Sequence, residues 1–364
     1  VIGLLEALAR PLLRLLDPED AHRLAIQALK VPPFVKLAAD DPRLAVRAFG
    51  LEFPNPVGMA AGFDKHAEVP DALLKLGFGF VEVGTVTPLP QLGNPRPRLF
   101  RLNRDEAVIN RLGFNSEGAA AVLRRLAARR KNGGIVGLNI GANRDSTDRI
   151  ADYVRLIETL APVASYFSVN ISSPNTPGLR GLQQGEMLDS LLARVADART
   201  RVTREAGTVP LLIKIAPDLT LAELDGIVGA ACKHRIDGMI VGNTTLARPP
   251  TLRERTTARE AGGLSGRPLF ALATRMLAEA YVRVEGAFPL VGVGGIDSGE
   301  AAVAKIRAGA CLVELYSALV FHGLQLVATI KSELSDALRR GGWARIDQLV
   351  GVDATKLIAQ SWPV

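Results

Sequence analysis

Polar side chains placed at the ends of apolar runs give this chain its first chemical signal. From Tyr166 to Arg180 it reads YFSVNISSPNTPGLR. Tyr166–Ile171 has the composition of a strand. Ser173-Pro174 and Thr176-Pro177 end it, because proline lacks a backbone donor and restricts the residue before it. A loop so rich in Asn and Ser offers many donors and acceptors and little apolar surface, which suits a flat polar ligand. An ordinary Asx or Ser turn after a strand uses the same residues. Asn139 in GLNIG, Lys214 in LLIKIAP and Asn243 in VGNTT stand in similar positions to Asn170. An unpartnered buried amide or ammonium costs about 1–3 kcal/mol or more, so four of them at successive strand ends point to one shared ligand. Lys214 reads as a fixed positive charge facing an electron-rich cofactor, or as a lysine whose stem lies on apolar surface with its head in water. Lys65, in AAGFDK, is a second such candidate, or a loop lysine paired with Asp64.

Glycines carry a second signal. Val293-Gly294-Gly295-Ile296 runs through Asp297-Ser298-Gly299 into a helical pattern, and Leu315-Tyr316-Ser317 leads into another. Glycine lets backbone N–H groups approach an anion, and helix N-termini favour negative charge; a tight turn uses the same residues. Leu264-Ser265-Gly266 adds a further close backbone approach. No GxGxxG follows the first strand and no separate nucleotide-binding domain is visible, so a mononucleotide fits better than a dinucleotide.

These residues need a scaffold that brings strand ends together. Short apolar runs recur at Pro56–Ala60, Phe80–Gly84, Ile135–Ile140, Tyr166–Ile171, Leu211–Ile215, Gly238–Val241, Leu290–Val293 and Cys311–Leu315. Helical patterns separate them, among them Ala67–Leu76, Glu117–Lys131, Asp148–Leu160, Leu221–Cys232, Pro268–Ala280 and Glu300–Ala308. Such alternation predicts parallel strands with crossover helices. Eight units predict an α/β fold of the (β/α)8 type, a TIM barrel whose site lies at the carboxyl ends of the strands; an open doubly wound sheet is the alternative.

The 364 residues are 48% hydrophobic and 22% charged, a globular composition. The net charge of +7 and pI near 9.6 favour an anionic partner: lipid, nucleic acid or metabolite. Cys232 and Cys311 form no CxxC or Cys/His cluster, which argues against a disulfide framework or a zinc site. No apolar run approaches the roughly 20 residues of a membrane-spanning helix, and no secretory signal pattern is evident. The chain opens on Val1, so a few residues are expected to precede it. Val1–Leu16 has helical periodicity with Glu6, Arg10 and Arg14 on one face. Asp17-Pro18-Glu19-Asp20 signals a helix start, and a second helix is predicted over Ala21–Lys30. The pair reads either as a cap on the barrel or dimer contact, or as an interfacial membrane element. Trp343–Val364 has helical character at Ile346–Leu357.

In order along the chain, NPVGMAAGFDK, EVGTVTP, NPRPRLFR, INRLGFNS, GLNIG, SVNISSPNTPGLR, LIKIAPD, GNTT, GGLSG, GVGGI and LYSALV closely resemble the class 2 dihydroorotate dehydrogenases, which are quinone-using and membrane-associated. The resemblance implies FMN as cofactor and oxidation of dihydroorotate to orotate in pyrimidine biosynthesis, with electrons passed to a membrane quinone. It implies FMN contacts from Ala61, Gly62, Phe63, Asp64, Lys65, Thr85, Asn139, Asn170, Lys214, Ser265, Gly266, Gly295, Tyr316 and Ser317. Gly242 stands where the family often has threonine, so only a backbone contact is expected there. Implied substrate contacts are Lys65, Asn110, Arg111, Leu112, Gly113, Phe114, Asn170, Asn175, Asn243 and Thr244. Ser173 falls at the position of the catalytic base, and His22 and Arg101 at the quinone head group. Residues 1–41 are expected to form a quinone-tunnel element on the cytoplasmic face of the cell membrane, and residues 42–364 the FMN barrel. The soluble class 1 enzymes place a cysteine at the base, which this loop lacks. A flavin-dependent tRNA reductase would add an RNA-binding domain, for which the tail after the barrel is too short, so no nucleic-acid partner is expected. A phosphate-ligand binding barrel without catalysis needs neither Ser173 nor Lys214.

Overall fold

The computed structural model describes residues 15–31, 39–129, 132–176 and 178–363. The expected first helix, Val1–Leu16, lies almost wholly outside the described residues, as do Pro177 and the end of the Glu117–Lys131 pattern.

Eight parallel strands close into a barrel: Val57–Met59, Phe80–Val86, Ile135–Ile140, Tyr166–Asn170, Leu211–Ile215, Gly238–Val241, Leu290–Val293 and Ala310–Leu315. Each neighbours the next in sequence, and the eighth pairs with the first through Val313 and Val57. All eight fall within a residue or two of the apolar runs, because a strand covered on both sides must be apolar almost throughout. Helix boundaries shift more. The first crossover helix is Pro70–Lys75 rather than Ala67–Leu76. The buried Asp64 carboxylate accepts the N–H groups of Glu68 and Val69, each at 2.8 Å, and holds that stretch as a loop. Elsewhere caps fix the ends: Asp148 opens Arg149–Leu160, Thr220 and Glu223 form a capping box on Leu221–Lys233, and Ser298 caps Gly299–Arg307. The carboxyl-terminal pattern is a 3-10 turn, Ile346–Leu349, and a helix, Ala354–Ile358. Gly351 separates them, with φ +77° and Tyr281 packed against it.

The barrel is closed at the amino ends of its strands by an antiparallel hairpin, Val46–Ala48 with Leu51–Phe53. Its Phe53 ring meets Phe80 edge-on at 5.2 Å. Inside, large residues face glycines: a Cβ at Gly58 would enter the Phe80 ring and one at Gly137 the Tyr166 ring. Gly137→Ala is therefore expected to cost at least about 1–3 kcal/mol by overpacking; an unchanged urea midpoint would mean that Tyr166 has room to move aside. Over the opposite end stands a three-stranded antiparallel sheet, Leu99–Leu102, Ala107–Asn110 and Gly263–Gly266, with a small core of its own around Leu102, Ile109 and Leu264. The helix Pro18–Leu29, capped by Asp17, also lies at this end. Glu19 is paired to Arg98 at 2.6 Å, and Lys30 to Glu68.

Candidate active site

A cavity of about 600 Å³ opens at the carboxyl ends of the barrel strands, roofed by the antiparallel sheet and walled by the helix Pro18–Leu29. That size suits a cofactor with a small substrate.

Its floor is a polar network built from alternate residues of neighbouring strands. The Asn170 amide donates to Thr85 Oγ1 at 3.1 Å and to Asn139 Oδ1 at 3.0 Å. Thr85 donates to the same Asn139 oxygen at 2.6 Å. Asn139 Nδ2 donates in turn to Glu82 at 2.9 Å and Ser168 at 3.1 Å. Asn139 thus lies beneath the cavity lining and holds Thr85 and Asn170 in place. Lys214 Nζ stands between Glu82 at 3.2 Å and Glu314 at 3.3 Å. Burial opposes its charge, but the two carboxylates outweigh that and hold its pKa above the ordinary lysine value.

Glu82 and Glu314 are fully buried, and sequence reasoning missed both. An acid flanked by apolar residues, as in FVEVG and LVELY, was their only signal. Burial and the neighbouring Glu82 push Glu314 up to about 8 from its ordinary 4.5. The native chain therefore holds this proton more tightly than the unfolded one. The stabilisation is complete below about pH 4.5 and is lost as pH rises through about 8. Glu314→Gln should flatten the dependence of stability on pH across that window. A variant whose denaturation midpoint still falls with pH as the parent's does would contradict this assignment.

Above the floor, Ser173 is buried against the cavity, and its Oγ accepts the Asn175 N–H at 3.3 Å. The Asn175 amide donates to Asn110 Oδ1 at 3.2 Å. Asn243 donates to Ser172 Oγ at 2.8 Å, and Ser172 donates to Asn170 Oδ1 at 3.0 Å. Ser172, absent from the sequence reading, therefore ties the 173 loop to the sixth strand. Leu112, Gly113, Phe114 and Thr244 complete this wall. Arg111 points elsewhere: it pairs with Glu260 at 2.7 Å and lies over the Phe100 ring. Its neighbour Asn110 faces the cavity, as alternation along a strand end requires.

Ala61, Gly62, Phe63 and half-buried Lys65 line the first loop. Among the described residues Lys65 has no ion pair with Asp64. Burial, and next the Arg98 charge, lower its pKa to about 8. Asp64 points away from the cavity into its own loop, and burial raises it to about 6. Gly242 is outside the lining. Its φ is +115°, and a Cβ there would lie 2.8 Å from Val293 O, so the backbone leaves no place for a threonine.

Gly266, Gly295, Ser265 and Ser317 line another part of the cavity. A Cβ at Gly266 would fall 2.3 Å from Glu106 O, and one at Gly295 2.5 Å from Phe270 Cα. Ser317 donates to Ser265 at 2.7 Å. Among the described residues no backbone carbonyl accepts from the N–H of Gly294, Gly295 or Ser317.

On the helix side the lining is apolar, with Ala21, Ala25, Ala28, Leu29 and Val31, and Arg101 opposite. His22 Nδ1 stands 3.5 Å from the Tyr316 hydroxyl, and Phe63 meets both rings edge-on. Burial, and then the Lys65 charge, lower the His22 pKa to about 4, so the ring is neutral near pH 7.

Residues 43–338 match the family model described as dihydroorotate dehydrogenase. A Bradyrhizobium diazoefficiens protein named dihydroorotate dehydrogenase (quinone) is 68% identical over 363 residues, covering 100% of each chain. One of the same name from Rhodopseudomonas palustris strain HaA2 is 69% identical over 364 residues, again covering 100% of both. The crystal structure of DHODH in complex with ferulenol from Eimeria tenella superposes with a TM-score of 0.87 at 40% identity, covering 93% of this chain and 96% of that one. Its ligand-free counterpart gives 0.88 at 41%, covering 93% and 99%. With these relatives spanning the whole length, the chain belongs to the dihydroorotate dehydrogenase family, in its quinone-dependent class, and is an oxidoreductase of pyrimidine biosynthesis.

Proposed function

We propose that the cavity holds FMN and dihydroorotate face to face, with Ser173 as the base, and that electrons leave past the helix Pro18–Leu29 to a membrane quinone. The observation that carries this reading is a single cavity on which glycine-rich loops, a buried cation, the amides of Asn110, Asn170, Asn175 and Asn243 and a buried hydroxyl converge. The residues fit FMN. At Gly266 and Gly295 the backbone packs so closely on Glu106 and Phe270 that no Cβ fits, and among the described residues the N–H groups of Gly295 and Ser317 have no backbone acceptor, which suits a phosphate. Lys214 supplies a fixed positive charge in the same cavity, and Thr85 and Asn170 supply polar edges for a ring. Bound there, FMN would accept the C6 hydride of the substrate and relay electrons onward.

The remaining work falls to side chains. Lys65 neutralises the substrate carboxylate. Asn110, Asn175 and Asn243 pair with its ring amides, each offering a donor and an acceptor. Ser173 takes the C5 proton and gives up its own to water or to Thr176, whose hydroxyl is buried without a protein partner. The surrounding Leu112 and Phe114 exclude bulk water from this exchange.

Residues 1–41 serve as the membrane element in this reading and residues 42–364 as the FMN barrel. Among the described residues no helix is long and apolar enough to cross a membrane. Leu15, Leu16, Leu24 and Val31 are exposed, and Arg23 stands among them. An apolar face with nearby cations suits attachment to the cytoplasmic surface of the membrane. The test is spectroscopic. Purified protein should be yellow with FMN and bleach on anaerobic addition of dihydroorotate; a colourless protein that takes up no FMN would end the proposal.

A further inference from the structure

Lys305, in the helix Gly299–Arg307, is fully buried. Among the described residues no carboxylate lies within ion-pair distance of it. Among those residues its ammonium has one acceptor, Val293 O at 3.5 Å, and it stands 5.2 Å from the centre of the Phe270 ring. Such a placement is costly, since burial pushes the lysine pKa well down and nothing of opposite charge restores it. A methionine would fill the same space without that cost.

Both partners of the ammonium border one loop, Phe270 from the start of the helix Phe270–Val284. Val293 begins Val293-Gly294-Gly295, and Phe270 is the residue a Cβ at Gly295 would strike. A trans peptide is planar, with its C=O and N–H antiparallel. A Val293 carbonyl turned toward Lys305 therefore sends the Gly294 N–H the opposite way. Val293, Gly294 and Gly295 line the cavity, and both glycines have positive φ, +104° and +76°. Successive N–H groups in a turn can form an anion-binding concavity. The loop thus has free donors on one side and an unpaired cation behind it.

We propose that Lys305 is a positioning residue for the phosphate monoester of the cofactor, fixing the Val293–Gly295 donors and supplying the positive potential behind them. This rests on the cavity being the FMN site. The other anion bound there, the substrate carboxylate, has Lys65 as its own cation, so the two anions are separable by experiment.

The test compares flavin release from the full-length protein loaded with FMN and with riboflavin, which lacks the phosphate. Release is followed by the rise in flavin fluorescence on dilution. Lys305→Met is expected to speed FMN release at least about tenfold while leaving riboflavin release unchanged. Should that variant not accumulate, Lys305→Gln removes the charge while keeping a donor and is expected to behave alike. FMN release at the parental rate, or equal acceleration of both flavins, overturns the proposal. A parent chain that retains no FMN overturns the cofactor assignment itself, whereas an FMN-loaded parent with an indifferent variant overturns only the role of Lys305.

Discussion

Ser173→Ala is expected to retain FMN and to slow flavin reduction by dihydroorotate at least about 10²-fold, the low end for loss of a general base. The serine follows the fourth barrel strand, buried, and among the described residues its Oγ is engaged only by the Asn175 N–H at 3.3 Å. Its proton is therefore free to be directed elsewhere, and a substrate held by Lys65 and the three amides would lie against it. Because Ser173 is not among the residues assigned to the cofactor, FMN should remain in place and the loss should appear in the rate of the first half-reaction alone. Ser173→Cys gives the complementary result. A thiol ionises near pH 8.5, so the variant should recover part of the lost rate, rising toward that pH. Ser172→Ala should behave differently. Ser172 joins Asn170 to Asn243, so its removal is expected to weaken substrate binding more than proton removal. A stopped-flow trace in which Ser173→Ala matches the parent would remove this residue from the base role.

The barrel was legible because each of its strands is apolar at nearly every position, a pattern that survives without any tertiary information. The floor was partly legible for the same reason. Asn139, Asn170 and Lys214 stand out against apolar neighbours, and the structure joins all three in one network. Glu82 and Glu314 were as conspicuous, but an acid in a strand reads equally well as a residue facing water. Only closure of the barrel turns both toward Lys214. The roof was not legible. Its strands are four residues each, the first follows a proline-rich stretch, and the third, Gly263–Gly266, comes from a loop after the sixth barrel strand. No local pattern announces pairing across that separation. The expected substrate run Asn110–Phe114 includes Arg111, although alternation along the strand ending at Asn110 sends consecutive side chains opposite ways.

Deleting residues 1–31 is expected to reduce turnover with a long-tailed quinone to background while sparing flavin reduction by dihydroorotate. The helix Pro18–Leu29 contributes Ala21, Ala25, Ala28 and Leu29 to the cavity wall, whereas Ser173, Lys65 and the three amides belong to the barrel and its roof. The deletion stops before Asp40, whose carboxylate holds Asn55 at 2.7 Å and Lys331 at 2.6 Å, so the barrel keeps that anchor. A quinone tail left in water forfeits about 0.8 kcal/mol per methylene. Three methylenes already amount to about a 50-fold loss of affinity, before loss of membrane attachment is added. The removed wall also exposes His22's partners, Phe63 and Tyr316, to solvent. If the shortened chain is unstable, Ala25→Trp offers the same discrimination, because it fills the apolar side while leaving the helix anchored by Glu19 to Arg98. In both variants the two half-reactions should part company: unchanged bleaching by dihydroorotate, and reoxidation that no longer responds to quinone. A shortened chain that turns over at the parental rate with a long-tailed quinone would place the exit for electrons elsewhere on the barrel.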